Sequence, residues 1–293
     1  MKGVNRTELR LDRQSFLGEN SVRVLEESRA AIIGLGGGGS HIAQQLSHLG
    51  VGDFLLIDPD AVEDTNLNRL IGATQHDVAV GAAKVSIATQ LIAGVNPCAK
   101  ICAETMRWQT CATALRSCDV IFGCVDSIGE RAQLETAARR YLIPYIDIGM
   151  DVHRSEAGFS IGGQVALSLP GGPCLRCMGI VNDKALELEA QLYGAAGGRP
   201  QVVWPNGVLA SLAVGFFTHL ATPWCKAKDL PILIEFDGNL QTVSRSSKLR
   251  YLDEIACRHF AALADLGDPF WMVQGDQRVL SGSEGSVEIQ EAD

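Results

Sequence analysis

The sequence predicts an α/β fold: a mostly parallel sheet wrapped by helices and continued by antiparallel strands. Three observations predict it. Short apolar runs alternate with helical patterns from Arg29 to about residue 157. A glycine turn, Gly34-Leu35-Gly36-Gly37-Gly38-Gly39, joins the first apolar run to the first helical stretch. Past residue 158 the pattern changes to strand signals paired around turns. Alternating strands and helices imply parallel strands with right-handed crossovers, which place a ligand at the carboxyl ends of the strands. The glycine turn makes that arrangement Rossmann-like.

Taken in order, residues 1–28 read as a charged, helical N-terminal arm. Strands follow at 31–34, 54–58, 100–103, 119–124 and 144–148, with helical patterns at 40–49, 81–94 and 129–140. Residues 159–169 read as a strand that ends at the turn Pro170-Gly171-Gly172-Pro173. Residues 182–203 hold Gly194, Gly197, Gly198 and Pro200 and read as a crossing segment. Pro205 suits the first position of a helix running to about Ala221. That helix is apolar nearly all round, so it belongs under the sheet or at a subunit interface. Runs at 232–236 and 241–245 flank Asp237-Gly238-Asn239, a hairpin signal. Residues 261–293 form a C-terminal extension whose acidic, glycine- and serine-rich end is expected to be poorly ordered.

Composition narrows the classes of function. With 293 residues, 46% of them hydrophobic, the chain can bury a sizeable core. No apolar run reaches the ~18 residues of a membrane span, and 207–220 is interrupted by Ser211, Thr218 and His219. The polar N-terminus lacks an apolar signal core, and nine cysteines show no framework spacing. Both suit a reduced, cytoplasmic protein. A net charge of −9 argues against nucleic acid as a partner.

The glycine turn follows an apolar strand and opens a helix, so backbone N–H groups can approach a phosphate. Gly34, Gly36 and Gly39 fit G-x-G-x-x-G, and Asp58 ends the second strand, where a ribose-binding acid belongs. On these residues alone an NAD-dependent oxidoreductase is a fair reading. Downstream residues favour another nucleotide. A pyrophosphate carries about two negative charges, which a helix terminus handles. A triphosphate carries about four and needs dedicated cations plus carboxylate-held Mg²⁺. Arg69 and Lys84 supply cations, and Asp126 ends the fourth strand where such a carboxylate is useful.

Together these motifs resemble the ThiF/MoeB/HesA superfamily, the ubiquitin-activating-enzyme adenylation fold, over about residues 8–260. Its G-x-G-G-x-G-S matches Gly34, Gly36, Gly37, Gly39 and Ser40; its D-x-D matches Asp58 and Asp60. Its N-L-x-R matches Asn66, Leu67 and Arg69, its G-x-x-K matches Gly81 and Lys84, and its strand-four acid matches Asp126. Its P-C-x-x-C-[MLS] matches Pro173, Cys174, Cys177 and Met178. The resemblance implies one adenylation domain over 29–260, with a nucleotide-binding half (29–157) and a modifier-binding half (158–260). It implies that Asp58 binds the ATP ribose, that Asn66, Arg69 and Lys84 contact phosphates, and that Asp126 holds Mg²⁺. An R-x-[DN]-R-Q segment matches Arg10, Asp12, Arg13 and Gln14, which implies that Arg13 reaches the partner's ATP across a homodimer. The implied substrate is the C-terminal carboxylate of a ubiquitin-like or sulfur-carrier protein ending in Gly-Gly, with a conjugating enzyme as a further partner. Alternatives are a tRNA-modifying relative and a non-catalytic modifier-binding scaffold.

Two departures bear on chemistry. Relatives complete the Cys174–Cys177 half of a Zn²⁺ site with a second C-x-x-C, where this chain has Cys257-Arg258-His259. A set of Cys174, Cys177, Cys257 and His259 is chemically sound for zinc; a zinc-free remnant is the alternative. Many relatives also carry a thioester-forming cysteine before the Pro205-like helix, and residues 178–224 contain none. Cys225, beside Lys226, is the internal candidate thiol. His41, on the glycine-loop helix, is read as capping or solvated rather than nucleotide-binding.

Overall fold

The computed structural model describes residues 10–156, 158–191, 200–226, 230–252 and 257–260. The middle of the crossing segment and the C-terminal extension lie outside the described residues. The chain enters through a 3-10 helix, Asp12–Leu17, and a short helix α1, Ser21–Glu27. Leu11, Leu17 and Leu25 are buried, so this segment lies along the body rather than standing off as an arm. Arg10 fixes it by donating from Nη1 to the carbonyls of Ser47 and Val95 at 3.0 and 3.2 Å. Gln14 donates to the Leu49 carbonyl at 2.8 Å.

Strands β1 (Arg29–Ile33), β2 (Asp53–Ile57), β3 (Lys100–Glu104) and β4 (Val120–Gly123) are parallel. β5 (Tyr145–Ser155) pairs parallel with β4, then antiparallel along its whole length with β6 (Gly158–Ser168). β7 (Leu233–Asp237) and β8 (Thr242–Arg245) complete one eight-stranded sheet in the order β3-β2-β1-β4-β5-β6-β7-β8. The sequence placed each strand within a few residues but stopped β5 at 148. The strand continues through Asp151, His153 and Arg154, polar and largely exposed residues that carry no apolar signal.

Helices α2 (Gly37–Leu49), α3 (Gln75–Ala79), α4 (Lys84–Val95), α5 (Ile128–Arg140), α6 (Asp183–Gln191), α7 (Val203–Ala221) and α8 (Leu249–Leu252) surround the sheet. Strand side chains alternate between faces. Ile32, Phe54, Leu56, Phe122 and Ile146 meet α2, α4 and α7 on one face. Ala31, Ile33, Leu55, Ile57 and Ile121 meet α5 and the 3-10 run Trp108–Ser117 on the other. α7 has the length and apolar composition of a membrane span. It serves as a core helix: Leu209, Ala213, Phe216 and Phe217 are buried against α2 and the sheet.

Candidate functional site

β1 is paired on one side with β2 and on the other with β4. The chain therefore leaves β1 and β4 in opposite senses, and a crevice opens at their carboxyl ends. A cavity of about 360 Å³ occupies it. Gly34 turns the chain over this crevice with φ +87°, and a Cβ there would stand 2.5 Å from the Cys124 carbonyl oxygen. Gly39 lies outside the cavity wall; a Cβ on it would strike the Gly34 carbonyl at 1.9 Å, so it keeps helix and loop in contact. Gly36 and Gly37 line the cavity at the start of α2, where unpaired N–H groups favour an anion.

The predicted polar residues converge on the same cavity: Asp58, Asp60, Asn66, Arg69, Lys84 and Asp126 all line it. Lys84 opens α4 and its Nζ lies 2.8 Å from Asp60 Oδ2. The lysine side chain is 12% exposed and the aspartate 61%, so the pair has one buried and one wet end. Arg69 is half-buried and turned back on its own loop, donating to the Thr65 carbonyl and, at 2.9 Å, to Asn68 Oδ1. Asn66 accepts at Oδ1 from the Glu63 N–H at 3.1 Å and so shapes that loop. Asp58 is buried and accepts the N–H groups of Leu35 at 2.6 Å and Asp60 at 2.9 Å. Burial raises its pKa above the usual carboxylate value, against the opposing pull of Lys84 and the two N–H groups.

Some wall residues had no clear sequence signal. Asn206, buried in the first turn of α7, faces α2: a Cβ on Gly37 would meet its Nδ2 at 2.6 Å. Gln201 spans the mouth, donating from Nε2 to Asp126 Oδ1 at 3.2 Å while its carbonyl accepts from Asn68 Nδ2 at 2.9 Å. Trp108 and Arg131 also border the cavity. Only the position of Pro205, marking a helix start, pointed toward this neighbourhood. Glu189 of α6 docks the crossing segment beside it, accepting from Ser127 Oγ and from the Ile128 and Gly129 N–H groups at 3.1, 3.0 and 2.9 Å.

Arg13 is exposed and does not line its own chain's cavity. Neither does Cys225. The cysteine in the wall is Cys124, whose thiol burial pushes far up, leaving little thiolate for nucleophilic attack. His41 packs against α7 near Gly207, outside the wall, and burial lowers its pKa.

Cys174, Cys177, Cys257 and His259 form a second centre, with ligand atoms all within 4.8 Å of one another. The two sulfurs of the C-x-x-C turn are 3.6 Å apart, and His259 Nδ1 lies 3.3 and 3.4 Å from them. Tetrahedral zinc spaces sulfurs about 3.8 Å apart and sulfur from nitrogen about 3.5 Å, so the set fits. Burial pushes the Cys174 thiol up to about 12. Burial acts the same way on Cys257, but the Phe260 and His259 N–H groups and the two neighbouring sulfurs outweigh it and lower that thiol. Among the described residues no other group of this kind occurs.

The two centres define an α/β protein with a polar cavity over a glycine turn and a separate cysteine–histidine knuckle. The ThiF family model matches residues 10–248, and the chain belongs to that family. It is 31% identical over 159 residues to the molybdopterin-synthase adenylyltransferase of Escherichia coli (strain K12), covering 53% of this chain and 59% of that protein. The chain thus spans little more than half the length of that relative. It is 29% identical over 223 residues to the sulfur carrier protein ThiS adenylyltransferase of the same organism, covering 73% of this chain and 83% of the other. The crystal structure of E. coli MccB with ATP superposes with a TM-score of 0.64 at 21% identity, covering 83% of this chain and 71% of that one. That likeness is one of fold.

Proposed function

We propose that the chain joins AMP from ATP to the C-terminal carboxylate of a ubiquitin-like or sulfur-carrier protein ending in Gly-Gly. One observation carries this reading: Arg69, Lys84 and the carboxylate of Asp126 share a single cavity over the glycine turn. A substrate carboxylate oxygen attacks the α-phosphorus, the bond from that phosphorus to the bridging oxygen breaks, and pyrophosphate leaves. The nucleophile is already ionised near neutral pH, so no general base is required. Positioning and charge neutralisation supply the catalysis. Asp58 would hold the ribose, and the α2 N–H groups with Asn66, Arg69 and Lys84 would hold the phosphates. Asp126 would hold Mg²⁺, which neutralises phosphate charge when bound. That carboxylate is exposed at the mouth, as suits a cation taken up with its nucleotide.

The reading stops at the adenylate. Cys124 is the cysteine of the wall, and burial pushes its thiol up, which disfavours an internal thioester there. The knuckle would hold structural Zn²⁺. Arg13, exposed on the docked N-terminal segment, would complete the partner's site in a symmetric dimer. A reduced cytoplasm is the compartment that fits the thiols. The test is exchange of labelled pyrophosphate into ATP with Mg²⁺ and candidate proteins ending in Gly-Gly. Exchange that requires the intact Gly-Gly end is expected. Binding of NAD without ATP would overturn the reading.

A further inference from the structure

β4 and β5 last pair at Gly123 and Asp147. Beyond that pair, one chain runs on to Val125 and Asp126 and the other to Ile148 and Gly149. Arg131, from α5, fills the gap. Its Nη2 donates to the Ile148 carbonyl at 2.7 Å and its Nε to the Val125 carbonyl at 3.3 Å. Nε also lies 3.6 Å from Asp147 Oδ1, with side chains 8% and 0% exposed. Tyr145 donates its hydroxyl to the same oxygen at 3.0 Å, while Asp147 Oδ2 is buried without a hydrogen-bond partner. Residue 149 has to be glycine for this: a Cβ there would stand 2.1 Å from Arg131 Nη2.

Burying a guanidinium and a carboxylate costs desolvation that an apolar pair of similar volume avoids. Packing alone therefore does not account for the arrangement. Its geometric product is specific: two carbonyls on separate strands are tied to one planar fork, and one of them belongs to the peptide linking Val125 to Asp126. We propose that Arg131 is a positioning residue that holds Asp126 toward the cavity for its divalent cation. The proposal rests on the adenylation reading above. Arg131 acts through that peptide, as an outer partner fixes a metal ligand. Lysine, with one ammonium, cannot span both carbonyls and the carboxylate.

The test is Mn²⁺·ATP binding, followed by electron paramagnetic resonance, beside thermal melting of each variant. Arg131→Lys keeps the charge facing Asp147 and should retain the fold. It should weaken Mn²⁺ affinity by about 10–100-fold. Arg131→Met leaves Asp147 uncompensated and should melt lower. In Arg131→Met/Asp147→Asn the melting should recover while the cation affinity stays weak. Recovery of wild-type affinity together with the fold would overturn the positioning role and leave the adenylation reading intact. A wild-type chain that binds no Mn²⁺·ATP would overturn both.

Discussion

At the scale of single residues, the site is held ready by pairs that nucleotide must exchange. Lys84 is paired to Asp60 and Arg69 to carbonyl and amide oxygens of its own loop. Each cation keeps a partner until a polyphosphate offers more charge. Lys84→Ala or Arg69→Ala should therefore lower pyrophosphate exchange by about 10²–10³-fold, with melting close to wild type. Wild-type exchange in either variant would contradict the assignment. Asp58 gives a pH dependence. Burial sets its folded pKa above the ordinary 3.8. The folded chain thus binds this proton more tightly than the unfolded chain. Its contribution to stability is full below the ordinary value and lost as pH rises through the raised one. For binding the sign reverses, because ribose hydroxyls need the ionised acceptor. ATP affinity should fall as pH drops through the raised pKa, an acid limb starting above 3.8 that Asp58→Asn removes. An unchanged limb in that variant would assign it to another group.

At the scale of elements, α5 joins the two centres. Its N-cap Ser127 and its first-turn residues Glu130 and Arg131 line the cavity. Its last turns carry Glu135, which accepts from the Leu175 N–H at 2.8 Å, and Arg139, which donates to the Gly172 and Pro173 carbonyls at 3.0 and 2.8 Å. The knuckle therefore buttresses the far end of the helix that borders the cavity. His259→Ala should lose zinc, measured by mass spectrometry of metal content, and melt below wild type. A purified wild-type chain without zinc would contradict the assignment. The knuckle was legible because C-x-x-C is a short-range spacing; its completion by Cys257 and His259 required chemistry as well as pattern. Gly34, Asp58 and Asp126 were legible because each sits just past a strand end, and Arg69 and Lys84 because each falls in a short motif, N-L-x-R and G-x-x-K. Asn206, Gln201, Trp108 and Arg131 were not. They reach the cavity from sequence-distant elements, and nothing local in their neighbourhoods distinguishes a wall residue from a surface or core one. The start of α2 was missed too, because three successive glycines disfavour a helix locally while close packing against β5 and α7 requires them.

At the scale of the whole molecule, the fold divides the labour. Parallel strands present the nucleotide crevice, and the antiparallel strands extend the same sheet from β5 onward. The proposed symmetric dimer would add the one predicted cation that the chain's own cavity lacks, Arg13. Mixing Arg13→Ala with Lys84→Ala chains in equal amounts should restore about a quarter of wild-type sites, since half the dimers are mixed and each has one complete site. No recovery on mixing would place Arg13 outside the reaction. The most direct measurement is a structure of the chain with Mg²⁺ and a non-hydrolysable ATP. The account expects Lys84 to have left Asp60, Arg69 to have left Thr65 and Asn68, and both to contact the polyphosphate, with Asp126 on the cation. Nucleotide bound over the glycine turn with these three side chains still in their present pairings would contradict it.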